Sequence, residues 1–316
     1  MNLFFLFLGF VLLIKGAGLL VDGASSIAEK IKVSEIVIGL TIVSFGTSAP
    51  ELVINIYSSI QGKPDFAFGN IIGSNIINTL LILGIAGVIF PIKTEKNTVW
   101  KEIPFSFLAV VVLLFLCNDT KIIKGDSDVL SRFDGIILLL LFILFITYTF
   151  FIPKVESRDK PDIKFLSSTK SLVFVLLGIV GLFVGGWLVV DSSIDIAKEF
   201  NVSDKMIGLT ILAIGTSLPE LFTSSVAAYK RRPDIAIGNV VGSNVFNIFL
   251  VLGISASIKS LQFDPMINVD LSILLIASFL LFITMFTGKK RTLDRWEAVI
   301  FVALYFVYSL FLIIRK

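Results

Sequence analysis

Histidine is absent from this 316-residue sequence, and cysteine occurs only once, at Cys117. A single cysteine excludes a disulfide within the chain, and the lack of histidine argues against the usual zinc and copper sites. Charged residues make up 16% of the chain, and the net charge of +3 is too small to indicate a nucleic-acid partner. Any metal bound here should therefore have oxygen ligands, and we expect no resident cofactor.

Apolar residues are in excess in this sequence. Hydrophobic residues account for 56% of it and the mean hydropathy is +0.95, as in membrane proteins. We therefore expect an all-α integral membrane protein of ten transmembrane helices, surrounded by membrane lipid. Runs suited to a bilayer core of roughly 30 Å lie at 3–21, 36–60, 66–90, 103–117, 133–152, 170–190, 205–229, 235–258, 268–287 and 296–314.

The sequence repeats itself at a constant offset of 169 residues. Gly-Thr-Ser-Ala-Pro-Glu-Leu at 46–52 recurs as Gly-Thr-Ser-Leu-Pro-Glu-Leu at 215–221, and Gly-Asn-Ile-Ile-Gly-Ser-Asn at 69–75 recurs as Gly-Asn-Val-Val-Gly-Ser-Asn at 238–244. This register predicts an internal duplication, with 1–152 and 153–316 as the halves of one integrated domain. Because each half has an odd number of spans, the second half should be inverted in the membrane relative to the first.

The distribution of lysine and arginine predicts the orientation. Connections on one side of the predicted bilayer carry seventeen of these residues, and those on the other side carry nine. Short cytoplasmic loops are enriched in basic residues, so the richer side should face the cytoplasm. We expect a multi-pass protein of the cell membrane with both termini outside the cytoplasm.

Each repeat places a glutamate inside an apolar run, directly after a proline. Pro50 precedes Glu51 and Pro219 precedes Glu220, and no other acidic residue lies in the interior of a predicted span. Proline lacks the N–H that an uninterrupted helix uses, so both helices should break there. Non-helical backbone at membrane depth is tolerated only when it is buried in protein or lines a wet cavity.

Two interpretations of these glutamates are open. Ser48 and Ser217 stand where they would cap the following half-helices, so each glutamate could reach back to its own cap in a capping box. Alternatively, Glu51 and Glu220 share a cation, which would offset the solvation cost of a carboxylate inside a membrane.

A polar stripe follows in each half, with Ser74 and Asn78 in the first and Ser243 and Asn247 in the second. Residues four apart lie on one helix face. The stripe is consistent with hydrogen bonds between helices or with ion ligands, and the glycines at 69, 73, 238 and 242 indicate close helix packing. Together with the glutamates, the stripes offer the carboxylate, amide and hydroxyl oxygens that calcium and sodium prefer.

At these motifs the chain resembles the calcium/cation antiporter superfamily, and within it the sodium/calcium exchangers of the prokaryotic type. The resemblance implies a central site between the repeats and alternating access, in which the first and sixth helices slide across a static core. The ion ligands it implies are Thr47, Ser48, Glu51, Ser74 and Asn78, with Thr216, Ser217, Glu220, Ser243 and Asn247, and the main-chain oxygens of Ser44 and Ala213.

The expected function is exchange of sodium for calcium by a monomer that is not an enzyme. Proton/calcium exchange, or exchange of another divalent cation, is an alternative, because Glu51 and Glu220 could each take a proton. Proton-coupled members usually have Asn-Ala where Thr-Ser stands here. A passive cation channel is a remoter alternative. Potassium-dependent relatives have aspartate where Asn247 stands, so potassium co-transport is not expected.

Overall fold

The computed structural model describes residues 2–118, 128–151, 166–200 and 213–315, and these are almost entirely helical. The helices are α1 (Asn2–Lys30), α2 (Glu35–Thr47), α3 (Ala49–Ile60), α4 (Pro64–Ile89), α5 (Thr98–Leu116), α6 (Arg132–Phe150), α7 (Ser168–Glu199), α8 (Ala213–Gly215), α9 (Leu218–Tyr229), α10 (Pro233–Ile258), α11 (Pro265–Thr284) and α12 (Arg295–Ile314). Four two-residue strands are β1 (Ile92–Lys93), β2 (Val129–Leu130), β3 (Leu261–Gln262) and β4 (Thr292–Leu293).

Eight of the described helices are long and apolar enough to cross a membrane, and the bent pair α2–α3 is a ninth candidate. The chain is therefore a multi-pass, all-α membrane protein. The predicted span at 205–229 lies partly outside the described residues, so the count of ten helices stays a prediction.

The helix bounds repeat at the offset seen in the sequence. The bounds of α3 and α9 differ by 169 residues at both ends, and so do those of α4 and α10. β1 pairs antiparallel with β4, and β2 pairs antiparallel with β3. Each two-stranded pair thus joins one half of the chain to the other.

Two helices form the centre and two lie against its side. α4 and α10 are buried along most of their length, whereas in the other six long helices most residues are half-buried or exposed. α1 and α7 pack along each other through glycines, since a Cβ added at Gly16 would stand 2.9 Å from the carbonyl oxygen of Gly178. Small residues of this kind allow the backbones of membrane helices to touch.

Candidate cation-binding site

Both proline motifs interrupt a helix, at equivalent places in the two halves. α2 and α3 meet at Ser48 with a bend of 49°, and Ser48 has φ −83° and ψ 6°. Ser217 precedes α9 with nearly the same angles, φ −88° and ψ 4°. Pro50 and Pro219 each lie in the first turn of the new helix, where a missing N–H leaves no hydrogen bond unmade. The predicted breaks are confirmed.

The serines at these breaks do not cap the helices that follow. Ser48 and Ser217 stand at the N-cap positions, but neither side chain makes a cap hydrogen bond. Ser48 Oγ instead donates to Glu220 Oε1 at 2.9 Å, across the two halves of the chain. Both carboxylate oxygens of Glu51 lack a hydrogen-bond partner. The capping-box interpretation is therefore wrong.

The two carboxylates are fully buried and belong to one cluster. Glu51 and Glu220 are each 0% exposed. Glu51 lies within electrostatic reach of Glu220 and of the hydroxyl groups of Thr216 and Ser74. Ser243 Oγ lies 3.4 Å from Glu220 Oε1, the oxygen that also accepts from Ser48. Each carboxylate thus has neighbours from its own half and from the other one.

The asparagines of the polar stripes are held by a second pair of asparagines. Asn78 Nδ2 donates to Asn244 Oδ1 at 3.2 Å, and Asn247 Nδ2 donates to Asn75 Oδ1 at 2.9 Å. These bonds engage the amide nitrogens and leave Asn78 Oδ1 and Asn247 Oδ1 without a partner. The predicted hydrogen bonds between helices are therefore confirmed for the amide nitrogens, and the role of the open amide oxygens as ion ligands stays a prediction.

Buried oxygens without a hydrogen-bond donor concentrate in this cluster. In the ranges that the structure describes, fifteen buried side-chain oxygens or nitrogens lack a partner, and eight of them belong to predicted ligands. An unsatisfied buried polar atom costs about 1–3 kcal/mol, more if charged, so such a concentration calls for a ligand. The eight are Oε1 and Oε2 of Glu51, Oε2 of Glu220, Oγ of Ser74 and Ser217, Oγ1 of Thr216, and Oδ1 of Asn78 and Asn247.

The other predicted ligands near the first break are engaged by protein groups. Thr47 Oγ1 donates to Asn239 Oδ1 at 3.0 Å. The carbonyl oxygen of Ser44 accepts from Ser48 N at 2.9 Å and from Thr47 Oγ1 at 3.3 Å. The corresponding amide of the second half, Ser217 N, donates to the carbonyl of Ile214. The carbonyl oxygen of Ala213, at the start of α8, therefore does not accept from Ser217 N, whereas its counterpart, the carbonyl oxygen of Ser44, accepts from Ser48 N.

Three supporting asparagines were not predicted from the sequence. Asn75, Asn244 and Asn239 are fully or almost fully buried and bind the predicted ligands directly. A signal was present, since all three lie inside the repeated Gly-Asn-x-x-Gly-Ser-Asn motif within an apolar span. A buried amide in such a span needs a hydrogen-bond partner, which makes each a candidate for orienting its neighbours.

One acidic residue contradicts the expectation that only two lie inside spans. Glu102 is 0% exposed and lies in α5, which begins at Thr98 rather than at residue 103 as predicted. Its Oε1 accepts a hydrogen bond from Tyr148 Oη at 2.6 Å. Glu102 is therefore a buried carboxylate with a partner of its own, on α5 and not at the helix breaks.

Close packing of the repeated glycines is seen on α10. A Cβ at Gly238 would stand 3.0 Å from Gly39 Cα, and one at Gly242 would stand 2.9 Å from Leu40 Cα, so α10 touches the backbone of α2. At Gly69 and Gly73 no atom of the described residues lies within 4 Å of such a position, and the positions equivalent to Gly39 and Leu40, 208 and 209, lie outside the described residues. The close packing predicted for the four glycines is therefore confirmed for α10 and stays a prediction for α4.

A multi-pass helical protein with broken helices and buried carboxylates between two similar halves has the architecture of a secondary ion transporter. The family model described as sodium/calcium exchanger protein matches residues 1–151 and 170–314. The chain belongs to this family, and its membership indicates antiport of calcium against another cation.

Individual relatives agree with this assignment. The sodium/calcium exchanger MaX1 of Methanosarcina acetivorans is 33% identical over 97% of both chains. The inner membrane protein YrbG of Escherichia coli is 35% identical over 87% of this chain and 86% of its own. The solved structure of the sodium-calcium exchanger NCX_Mj, soaked with zero Na+ and Ca2+, is 35% identical, with a TM-score of 0.83 and 97% of each chain covered.

Proposed function

We propose that this protein exchanges sodium for calcium by alternating access, and that the buried oxygen cluster at the two helix breaks is the ion site. The observation that carries the proposal is the set of eight buried oxygens without donors, two of whose residues are carboxylates. A bound cation would satisfy these oxygens and offset the repulsion between Glu51 and Glu220. Two relatives that are named as sodium/calcium exchangers support the choice of sodium and calcium as the exchanged ions.

Charge balance limits the ratio of sodium to calcium ions that the site can exchange. The two carboxylates neutralise one calcium ion or two sodium ions, so a third sodium ion would leave the loaded site positive. Exchange of three sodium ions for one calcium ion would move one net charge per cycle. Each charge moved across 100 mV corresponds to about 2.3 kcal/mol, so such a cycle would depend strongly on membrane potential.

We further propose the arrangement in the membrane that the sequence predicts: ten spans, two inverted halves and both termini outside the cytoplasm. The repeat of the α3 and α4 bounds in α9 and α10 supports two equivalent halves. With a sodium gradient directed into the cell, the protein would extrude calcium from the cytoplasm. Cysteines added at the two termini should react with an impermeant maleimide from outside intact cells, and protection of either terminus would contradict the orientation.

Proton coupling is the alternative that needs an experiment. Purified protein in liposomes should take up calcium when sodium is inside and absent outside, and should do so after an ionophore collapses the pH gradient. Uptake that follows the pH gradient and ignores sodium would establish the proton alternative. Neutralising Glu51 should abolish uptake in either case, so this variant tests the site independently of the coupling ion.

A passive channel is less consistent with the geometry. Channels commonly place their selectivity ligands in rings around the pore of an oligomer, whereas both halves of this cluster come from one chain. Calcium uptake that proceeds without any counter-ion gradient, and that stops at electrochemical equilibrium, would favour the channel.

A further inference from the structure

An apolar groove opens on the outer surface between α4 and α12. It has a volume of about 220 Å³ and is lined by Ile85, Val88, Ile89, Val299 and Val302. The helices touch beside it, because a Cβ at Gly84 would stand 2.8 Å from Val302 Cγ2 and one at Gly87 would stand 2.8 Å from Ala298 Cβ. Since both helices are candidate membrane spans, the groove faces the bilayer.

Two arginines meet at one end of this groove, where α4 ends. Arg295, one turn before Val299 on α12, donates to the carbonyl of Ile89 at 3.4 Å. The guanidinium of Arg231 lies 5.9 Å from the centre of the Phe90 ring. These contacts hold two cationic groups beside two consecutive residues, Ile89 and Phe90. Both arginines are exposed, so donors that these contacts do not use face outward.

The two arginines have no ion-pair partner in the part of the chain that the structure describes. Three other basic groups there do have carboxylate partners: Lys230 pairs with Asp22, Arg232 with Glu35 and Arg315 with Asp270. The groove therefore combines an apolar bed with two positive charges that no described carboxylate pairs with.

The adjoining aromatic residue is consistent with a membrane–water boundary at this level. Trp296 follows Arg295 and is 56% exposed. Tryptophan is enriched where the hydrocarbon core meets the headgroups. The arginines are thus at the height of lipid headgroups, and Ile85 and Val302 lie deeper, at the height of the acyl chains.

We propose that this groove binds an anionic glycerophospholipid, with one acyl chain against α4 and α12 and the phosphate between Arg231 and Arg295. Guanidinium groups bind phosphate oxygens through paired hydrogen bonds, which a zwitterionic headgroup would share with its own cation. A soluble anion would not use the apolar bed, and an uncharged lipid would not use the arginines. The proposal does not depend on which ions the protein exchanges.

Native mass spectrometry of the full-length protein tests this. Protein released from micelles that contain equal amounts of phosphatidylglycerol and phosphatidylcholine should retain phosphatidylglycerol in roughly thirtyfold excess, the order expected for two basic groups near a lipid surface. The variant Arg231→Gln/Arg295→Gln should lose this preference. Lys289→Gln/Lys290→Gln removes two exposed charges from the α11–α12 connection and should keep it. An unchanged thermal midpoint shows that each variant is folded. If the double arginine variant does not fold, the two single arginine variants replace it in the test.

A second set of measurements tests the apolar groove independently of the two arginine charges. Val88→Phe/Val299→Phe fills the groove, keeps both arginines and should reduce retention of phosphatidylglycerol as strongly as the arginine variant does. Excess glycerol 3-phosphate should not displace the lipid. Equal retention of both lipids by the wild type, equal loss in the lysine variant, full retention in the filled groove, or displacement by glycerol phosphate would each overturn the proposal.

Discussion

The two halves of the ion cluster have nearly the same residues but different hydrogen bonds. Glu220 accepts from Ser48 Oγ at 2.9 Å and has Ser243 Oγ at 3.4 Å, whereas both oxygens of Glu51 lack a donor. Thr47 donates to Asn239, while Thr216 Oγ1, its equivalent, is unpartnered in the described chain. Identical motifs therefore occupy two different local structures, and the difference must arise from the surrounding packing.

Packing on the repeated glycines is seen in one half of the described residues. α10 lies against α2 through Gly238 and Gly242, whereas no described atom lies within 4 Å of a Cβ at Gly69 or Gly73, and positions 208 and 209 lie outside the described residues. Inverted repeats in two conformations would expose their shared site to one side of the membrane only. The unequal hydrogen bonds of the ion cluster are consistent with the alternating access proposed above.

The largest effect should come from removing one of the two carboxylates. Glu51→Gln should reduce calcium uptake in liposomes to background, because loss of a buried charge from its partner ion costs about 3–5 kcal/mol. Glu102→Gln is the matched control, since Glu102 is equally buried but bound to Tyr148 and outside the cluster. Uptake retained by Glu51→Gln, or lost equally in Glu102→Gln, would contradict the site.

Alanine substitutions at two equivalent glycines, Gly238 and Gly69, test how closely α10 and α4 are packed. Gly238→Ala should lower the free energy of unfolding by about 1–3 kcal/mol, because its methyl group meets the backbone of α2. Gly69→Ala should change it by less than about 0.5 kcal/mol, because its methyl group meets no atom of the described residues. Thermal unfolding in detergent measures both.

Gly69→Ala should nevertheless slow exchange, since in the opposite conformation this position would pack as Gly238 does now. Equal stability of the two alanine variants would mean that the halves do not differ in solution. Wild-type exchange by Gly69→Ala would mean that the packing does not alternate.

Alanine substitutions at the two serines of the helix breaks should have smaller effects on stability, and these effects should differ between the two serines. Ser48→Ala removes the hydrogen bond to Glu220 and should destabilise the ion-free protein by about 1 kcal/mol. Ser217→Ala removes a buried hydroxyl that has no partner and should leave the ion-free protein as stable or slightly more stable. Thermal midpoints in a chelator make this comparison, and an equal loss in both variants would contradict the difference in bonding.

The smallest effect should come from an ion pair that only one end of the molecule has. Lys230 Nζ lies 2.6 Å from Asp22 Oδ1, and it joins α1 to the connection between α9 and α10. The residue equivalent to Lys230 in the first half is Gln61, which cannot form such a pair. Lys230→Gln should therefore disfavour the present conformation by at most about 1 kcal/mol, because the pair is partly exposed.

Labelling of a cysteine at Asn70, in a Cys117→Ala background, measures that shift. Asn70 is partly exposed, so its labelling should slow by at most about fivefold in Lys230→Gln if it reacts in the present conformation. Lys198→Gln, which also removes an exposed positive charge, should not change the rate. A faster rate in Lys230→Gln would show that the pair opposes the present conformation.

Sequence reasoning succeeded where a residue type leaves few alternatives. Pro50 and Pro219 cannot continue a helix, and Glu51 and Glu220 cannot be buried without compensation, so the breaks and the carboxylate cluster were predictable. It failed where the outcome depended on what lies opposite a residue. The capping box was wrong because Ser48 meets Glu220 from the other half.

The membrane class, the duplication, the breaks and the two buried carboxylates beside the breaks followed from the sequence alone, because hydropathy, proline geometry and the cost of burying charge are local properties; the buried Glu102 did not. Which oxygens are bonded and which are open was decided only by the tertiary structure. Those properties arise from contacts between residues about 170 positions apart, and two copies of one motif can hold different contacts at the same time.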